Sequence, residues 1–324
     1  MPSQFSLNFA FAYDQPKSEA QFRSENKDFL VTEQLGFTPS GSGEHLLLHI
    51  TKNGQNTAWV AQQLANFVGI KVNDVGYCGR KDRHAICQQW FSIYLPKQPL
   101  INWQHCAIEG VEINSLTQHD KKLRPGDHVA NNFQIMLRNI TDIEEIKSRL
   151  QKVTHGVPNY FGEQRFGHQA NNLVEGEQWA EGTSKIHNKK HRGIIISALR
   201  AYLFNLVLSE RVSTGNWQQA LPGDMSADEP TGPLWGRGRS LVTDQTNLTE
   251  QNALTAFKTW QDALEHCGLQ QERRPLICLP QDFSYEIADN NLKLNFRLQP
   301  GQFATSVLRE ITCLQNKASE QLLQ

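Results

Sequence analysis

Period-two alternation of apolar and polar residues runs through the first part of this chain, stops, and returns near the other end, and that interruption limits the folds open to it. "FSLNFAF", "DFLVTE", "HLLLHITK", "ICQQWFSIYLP" and "VANNFQIMLRNI" read as strands; Phe5, Leu7, Phe9 and Phe11 share one side of the first, and Phe133, Ile135 and Leu137 one side of the last. "LKLNFRLQ" restores the alternation with Leu292, Leu294, Phe296 and Leu298. Between these blocks the pattern is helical, in "SALRAYLFNLVLSERV" and in "TEQNALTAFKTWQDALEHCG", the second ending at Gly268. Strands, helices and strands again imply a helical domain inserted into a sheet domain, with the change of pattern around "THGVPNYFGEQRFGHQANN".

Smaller elements follow the same rules. "NTAWVAQQLANFVG" predicts a helix capped by Asn56 or Thr57, with Val60, Leu64 and Phe67 on one face and Gly69 closing it. Thr141 and Glu144 form a capping-box pattern before a helix bearing Ile143, Ile146, Leu150 and Val153. "LPGDMSADEPTGPLWGRGRS" reads as an irregular loop, and "FATSVLREITCLQ" as a closing helix with Val307, Ile311 and Leu314 at helical spacing.

Charge narrows the function without naming it. Over 324 residues the net charge is -1, so no global field draws the chain to a polyanion. The charges are uneven, however: residues 70–204 carry 18 basic and 13 acidic side chains, an excess of five, while both flanks are acidic. The six cysteines show no C-x-x-C pair and no histidines at zinc-site spacing, so no metal site is expected. The N-terminal residues do not read as a secretory leader. "GIIISALRAYLFNLVLSERV" is interrupted by Arg200 and Asn205 and reads as a buried helix, not a membrane span, which makes the reducing cytoplasm the expected location. Phosphate-loop, dinucleotide-binding, zinc-peptidase and serine-hydrolase motifs are absent.

"GRKDRHA" stands out, because Asp82 is set among Arg80, Lys81, Arg83 and His84 just before a strand. The cations favour an ionised carboxylate, available as nucleophile or base, and those not paired with it can hold phosphates. A solvated, chemically idle turn is the competing reading. Further cations cluster at Lys121, Lys122 and Arg124, at Lys185, Lys189, Lys190 and Arg192, and at Arg237 and Arg239, each with the residue types that contact phosphate or simply solvate a loop. Phe29, Phe133 and Phe303 stand at element junctions, where a ring can stack on a base or close a core. Asn131 offers donors and an acceptor to a base edge, or satisfies a strand end.

Several blocks in order, "DFLVTEQLGF", "GSGEHLLLHITKNGQNT", "GYCGRKDRHAICQQW", "GVPNYFGEQRFG", "SALRAYLFN", "PTGPLWGRG" and "PGQFATSVLREI", give the chain a resemblance to the TruD family of pseudouridine synthases over nearly its whole length. The resemblance implies an α+β chain: a pseudouridine synthase fold with a mixed, largely antiparallel sheet (1–155 and 273–324) and an inserted TRUD-type α/β domain (156–272). It implies isomerisation of the uridine at position 13 of tRNA, without cofactor or metal, and a monomer needing no membrane or protein partner. Asp82 matches the catalytic aspartate of G-x-K-D. Phe29, Asn131 and Phe303 match substrate-holding positions, Arg23 falls where a basic residue pairs with the aspartate, and Phe133 belongs to the family's Asn-x-Phe block. Arg80, Lys81, Arg83, Lys121, Lys122, Arg124 and Arg165 are the candidates for RNA backbone contact. The segment from about Gly215 to Gln270 is shorter than in longer members, which bears on the inserted domain's grip on RNA. Two other readings compete with this one: a non-catalytic RNA-binding protein that keeps the fold, and a metal-independent ribonuclease with a histidine or lysine acid–base pair.

Overall fold

Among the described residues, ten strands hydrogen-bond into one mixed sheet in a computed structural model that describes residues 5–97 and 101–320. Its main path runs Gln281–Ala288, Asn291–Leu298, His128–Arg138, Phe29–Leu35, Ile86–Tyr94, His45–Asn53 and Val111–His119. Pairing is antiparallel except between Phe29–Leu35 and Ile86–Tyr94, and between Glu19–Phe22 and Cys313–Asn316, which are parallel. Register places Phe296, Phe133, Val31, Cys87 and Lys52 in one row across five strands, hence on one face. On that side the Thr57–Val68 helix buries Val60, Ala61 and Leu64 against Leu48, Ile50, Phe91 and Ile93. Full burial of each such aliphatic side chain contributes roughly 1.5–3 kcal/mol. Asn56 caps the helix by accepting from the Ala58 N–H at 2.9 Å, and Gly69 ends it at φ 77°. This sheet and helix form one compact unit, residues 17–146, 280–301 and 312–320.

The other unit comprises residues 5–16, 147–279 and 302–311. Its long Lys189–Ser213 helix satisfies the length and hydropathy of a membrane span, but buries Ile195, Leu199, Leu203, Phe204, Val207 and Leu208 in a protein core. The two interrupting polar residues have local partners. Arg200 donates to the Leu234 carbonyl at 2.8 Å, and Asn205 exchanges hydrogen bonds with the Phe161 backbone at 2.9 and 3.0 Å.

These limits differ from 1–155, 156–272 and 273–324. The chain passes from the sheet unit to the helical one inside the Ile143–Val153 helix, and both 5–16 and 302–311 belong with the helices. The first of these segments explains the difference. Residues 5–11 form no strand: Phe5 packs on Tyr202 and Trp260, Phe9 stacks on Tyr160 at 5.4 Å, and the backbone bonds to side chains. Tyr202 donates to Ser6 O, Tyr160 to Ala10 O and Arg309 to Phe9 O, so no partner strand is needed.

Other local expectations also shift. Asp142, not Thr141, accepts from the first turn of its helix, through the Glu145 N–H at 2.9 Å, while Thr141 Oγ1 accepts from the Glu19 N–H. The region 249–268 is broken into Asp244–Ala253, a short turn and Lys258–Glu265. Leu314 lies in the Cys313–Asn316 strand, because the closing helix ends at Ile311 and the chain joins the sheet edge. Within the irregular loop, Thr231–Leu234 pairs antiparallel with Glu272–Pro275.

Candidate active site

Asp82 sits in the irregular segment between the Val75–Tyr77 and Ile86–Tyr94 strands, and that segment is tied down residue by residue. Gln89 Nε2 donates to the Gly79 carbonyl, the Lys81 N–H donates to Thr57 Oγ1 at 2.9 Å, and the Thr57 hydroxyl donates to Gln89 Oε1 at 3.0 Å. The Asp82 carbonyl accepts from Lys52 Nζ at 2.6 Å, with Cys87 Sγ at 3.7 Å. A loop anchored this way holds its side chain in place as a helix or strand would.

The carboxylate is bound on one side and open on the other. Oδ1 accepts from the His84 N–H at 3.2 Å, Oδ2 forms an ion pair with Arg23, and the side chain keeps 16% exposure. Arg23 is only 5% exposed. Its guanidinium lies 4.5 Å from the Phe22 ring centroid and 4.7 Å from that of Phe29, a stacked setting that suits arginine's planar, weakly hydrated group. Burial lowers the Arg23 guanidinium from its ordinary value, and the charge of Asp82 opposes that shift. The backbone at Arg23 is in the left-handed region, φ 58°, an uncommon conformation for a side-chain-bearing residue, which turns the chain out of the Glu19–Phe22 strand.

Beneath Arg23 the rings continue: Phe29 to Phe133 at 5.9 Å and Phe133 to Phe296, stacked, at 5.5 Å. Phe29 is 4% exposed and covered by the guanidinium, while Phe133 is half-buried, so Phe133 is the more open ring. Asn131 lies opposite Glu33 in the register, and its buried Oδ1 has no hydrogen-bond partner. An unpaired buried acceptor costs on the order of 1–3 kcal/mol, which a ligand donor would recover. Arg23, Phe29, Phe133 and Asn131 thus gather with Asp82 in the sheet unit.

Phe303 and Arg165 belong to the helical unit. There Phe161 joins them, its ring 5.8 Å from that of Phe303 and 5.7 Å from the Arg165 guanidinium. Buried Arg274 lies 4.1 Å over the same Phe161 ring.

The remaining cations divide. Arg80, Arg83, Lys121 and Arg124 are exposed. Lys81 is a correction: its ammonium is buried in an ion pair with Glu33, whose other oxygen accepts from the Trp90 N–H at 3.1 Å, so it stabilises the loop and does not face phosphate. Lys122 donates to the Asn73 carbonyl and is half-buried. Sequence reasoning missed Glu33, Lys52, Thr57 and Gln89. The first two carried a signal, since each puts a charge at the buried phase of an alternating strand, Phe29–Val31–Glu33 and Leu48–Ile50–Lys52. Among the described residues no group of three or more His, Cys, Asp or Glu side chains is placed to hold a metal.

A family model described as tRNA pseudouridine synthase D (TruD) matches residues 8–185 and 226–311. The chain belongs to the TruD family. Among TruD relatives, the Cellvibrio japonicus tRNA pseudouridine synthase D is 46% identical over 97% of this chain and 96% of its own. That of Pseudoalteromonas translucida is 40% identical over 93% and 92%. A crystal structure assigned to TruD from Methanosarcina mazei superposes with a TM-score of 0.69 at 18% identity, covering 94% of this chain and 95% of that one, which supports the fold. The gap between the matched stretches, 186–225, spans the long helix of the helical unit.

Proposed function

We propose that this TruD-family chain converts uridine to pseudouridine in tRNA, at position 13, with Asp82 as the nucleophile. The observation carrying this reading is the Asp82 carboxylate, partly open to solvent and oriented by buried Arg23 above a run of aromatic rings. The reaction breaks the N1–C1′ glycosidic bond, turns the uracil and joins C5 to C1′; C5 loses a proton and N1 gains one, so atoms and electrons balance without a redox partner. A fixed, ionised carboxylate serves this reaction as the nucleophile that carries the nucleoside between the two bonded states. The ion pair aims the Asp82 carboxylate before substrate arrives.

Uridine must leave its stack for a protein side chain to reach its glycosidic bond. Phe133 and Phe29 offer an apolar wall, and the unpartnered Asn131 Oδ1 is suited to accept the uracil N3–H while its amide donates to a ring carbonyl. Arg80, Arg83, Lys121 and Arg124 are exposed to meet phosphates, and Phe303 with Arg165 gives the helical unit its own RNA contacts. The enzyme is read as a cytoplasmic monomer acting without cofactor or metal.

Mapping pseudouridine to the nucleotide in unmodified tRNA, for wild type and Asp82→Asn, tests this. Modification at position 13 by the wild type and none by a variant that still binds tRNA is expected. Tight binding with no pseudouridine in any tRNA offered would favour a non-catalytic RNA-binding protein, and strand scission a ribonuclease.

A further inference from the structure

Lys52 is fully buried, yet among the described residues no carboxylate lies within ion-pair distance of its ammonium. Its hydrogen bonds go to backbone carbonyls, Gln55 O at 2.8 Å and Asp82 O at 2.6 Å. Taking an ammonium out of water costs several kcal/mol, and a fold that needed only volume at this point would be served as well or better by an apolar side chain. The phase of the strand says the same: Leu48 and Ile50, the preceding residues on this face, are core.

The two carbonyls show what the charge accomplishes. Gln55 precedes the Thr57–Val68 helix, and Asp82 is the loop residue bearing the reactive carboxylate. Lys52 itself lies on the His45–Asn53 strand, in register with Cys87, whose thiol is near the same Asp82 carbonyl. One ammonium therefore ties strand, helix start and loop together, with charge-assisted hydrogen bonds that are shorter and stronger than neutral ones. Burial lowers the Lys52 ammonium from its ordinary value, and nearby Cys87 and Asp82 oppose that shift. The Arg23 ion pair holds the Asp82 side chain, whereas Lys52 holds its main chain.

We infer that Lys52 is a positioning residue for pseudouridine formation, fixing the Asp82 backbone so that the carboxylate points at the substrate. This rests on the reading of Asp82 as nucleophile. Lys52→Met keeps the apolar stem while removing the charge and both hydrogen bonds. Its single-turnover rate on unmodified tRNA is expected to fall about a hundredfold, as for a misplacement on the order of 1 Å, with tRNA affinity unchanged. In Lys52→Ala, propylammonium is expected to restore rate, and tetramethylammonium, which cannot donate a hydrogen bond, is not. A purely packing role would not produce that difference.

Wild-type rate in folded Lys52→Met overturns the inference, as does weakened tRNA affinity with an unchanged rate in the bound complex. Should Lys52→Met fail to fold, Lys52→Ala refolded with propylammonium decides the matter: a rate that rises with that amine alone supports the assignment, and one indifferent to it, or an absence of refolding, overturns it. Asp82→Asn assayed alongside separates the two readings. An active Asp82→Asn removes the nucleophile reading itself, whereas an inactive one beside a fully active Lys52→Met removes only the role of Lys52.

Discussion

Replacing Arg23 by methionine removes the cation while keeping much of the stem that lies against Phe22 and Phe29. With charge centres about 4 Å apart and an effective dielectric of about 20, the attraction between Arg23 and Asp82 is about 4 kcal/mol. Removing one partner of a buried pair leaves the other without compensation and costs roughly 3–5 kcal/mol; the remaining exposure of Asp82 places this case near the lower figure. The two ring contacts contribute about 0.5–2 kcal/mol each through the cation, and this too is lost. Taking the lower figure for each contribution, urea unfolding of Arg23→Met is therefore expected to show a loss of about 4 kcal/mol, with an unchanged slope. If 2–3 kcal/mol of the pairing also orients Asp82 in the transition state, single-turnover pseudouridine formation falls about 30- to 150-fold. Affinity for tRNA is expected to hold, because Arg23 is too buried to reach a phosphate. Arg23→Lys keeps charge without the planar fork and should fall between the two. A folded Arg23→Met with wild-type stability and rate would refute the reasoning, since it would mean that the pair neither holds nor aims the carboxylate.

Lys81→Met is expected to cost about 3–5 kcal/mol in stability, leaving Glu33 buried and unpaired, without altering the salt dependence of tRNA binding. Arg80→Ala and Arg83→Ala should do the reverse, each lowering the slope of log K against log salt by about 0.7–0.9 where the residue meets a phosphate; titrations at several salt concentrations distinguish the two classes. Burial pushes the Glu310 carboxyl from 4.5 up to about 7. Between those values the folded state holds a proton that the unfolded chain has released, so the contribution of Glu310 to stability is fully present below pH 4.5, declines as pH rises to about 7, and is level above. The difference between wild type and Glu310→Gln across that window is expected to reach about 3 kcal/mol, read by urea unfolding at a series of pH values; a constant difference would contradict it.

The strands around Asp82 were legible because one face of each is buried, which forces the period-two pattern that register then exploits. Residues 5–11 have the same pattern for another reason: their phenylalanines enter an aromatic core while side chains satisfy the backbone. Alternation reports burial, and nothing in it says whether a neighbouring strand or a tyrosine hydroxyl completes the hydrogen bonds. The cations of "GRKDRHA" were visible as a cluster, but their division was not, since Lys81 turns inward to Glu33, distant in sequence, while Arg80 and Arg83 remain outside. The Arg23–Asp82 pairing came from resemblance and had no local signature. Lys52 and Glu33 were readable as charges out of phase, although only the folded chain shows which groups receive them.

The parallel pairing of Glu19–Phe22 with Cys313–Asn316 has a consequence for how the protein is made. Ser18 and Thr312, joined by a hydrogen bond beside this pair, are 294 positions apart, and residues 147–279 and 302–311 of the helical unit are translated between them. At about 5–20 residues per second, a ribosome leaves that edge of the sheet without its partner for on the order of 15–60 s. Closing such distant contacts carries a large chain-entropy penalty that slows folding. The sheet that presents Asp82 is thus completed only as synthesis reaches the last strand, and during that wait its open edge is a natural client for chaperones.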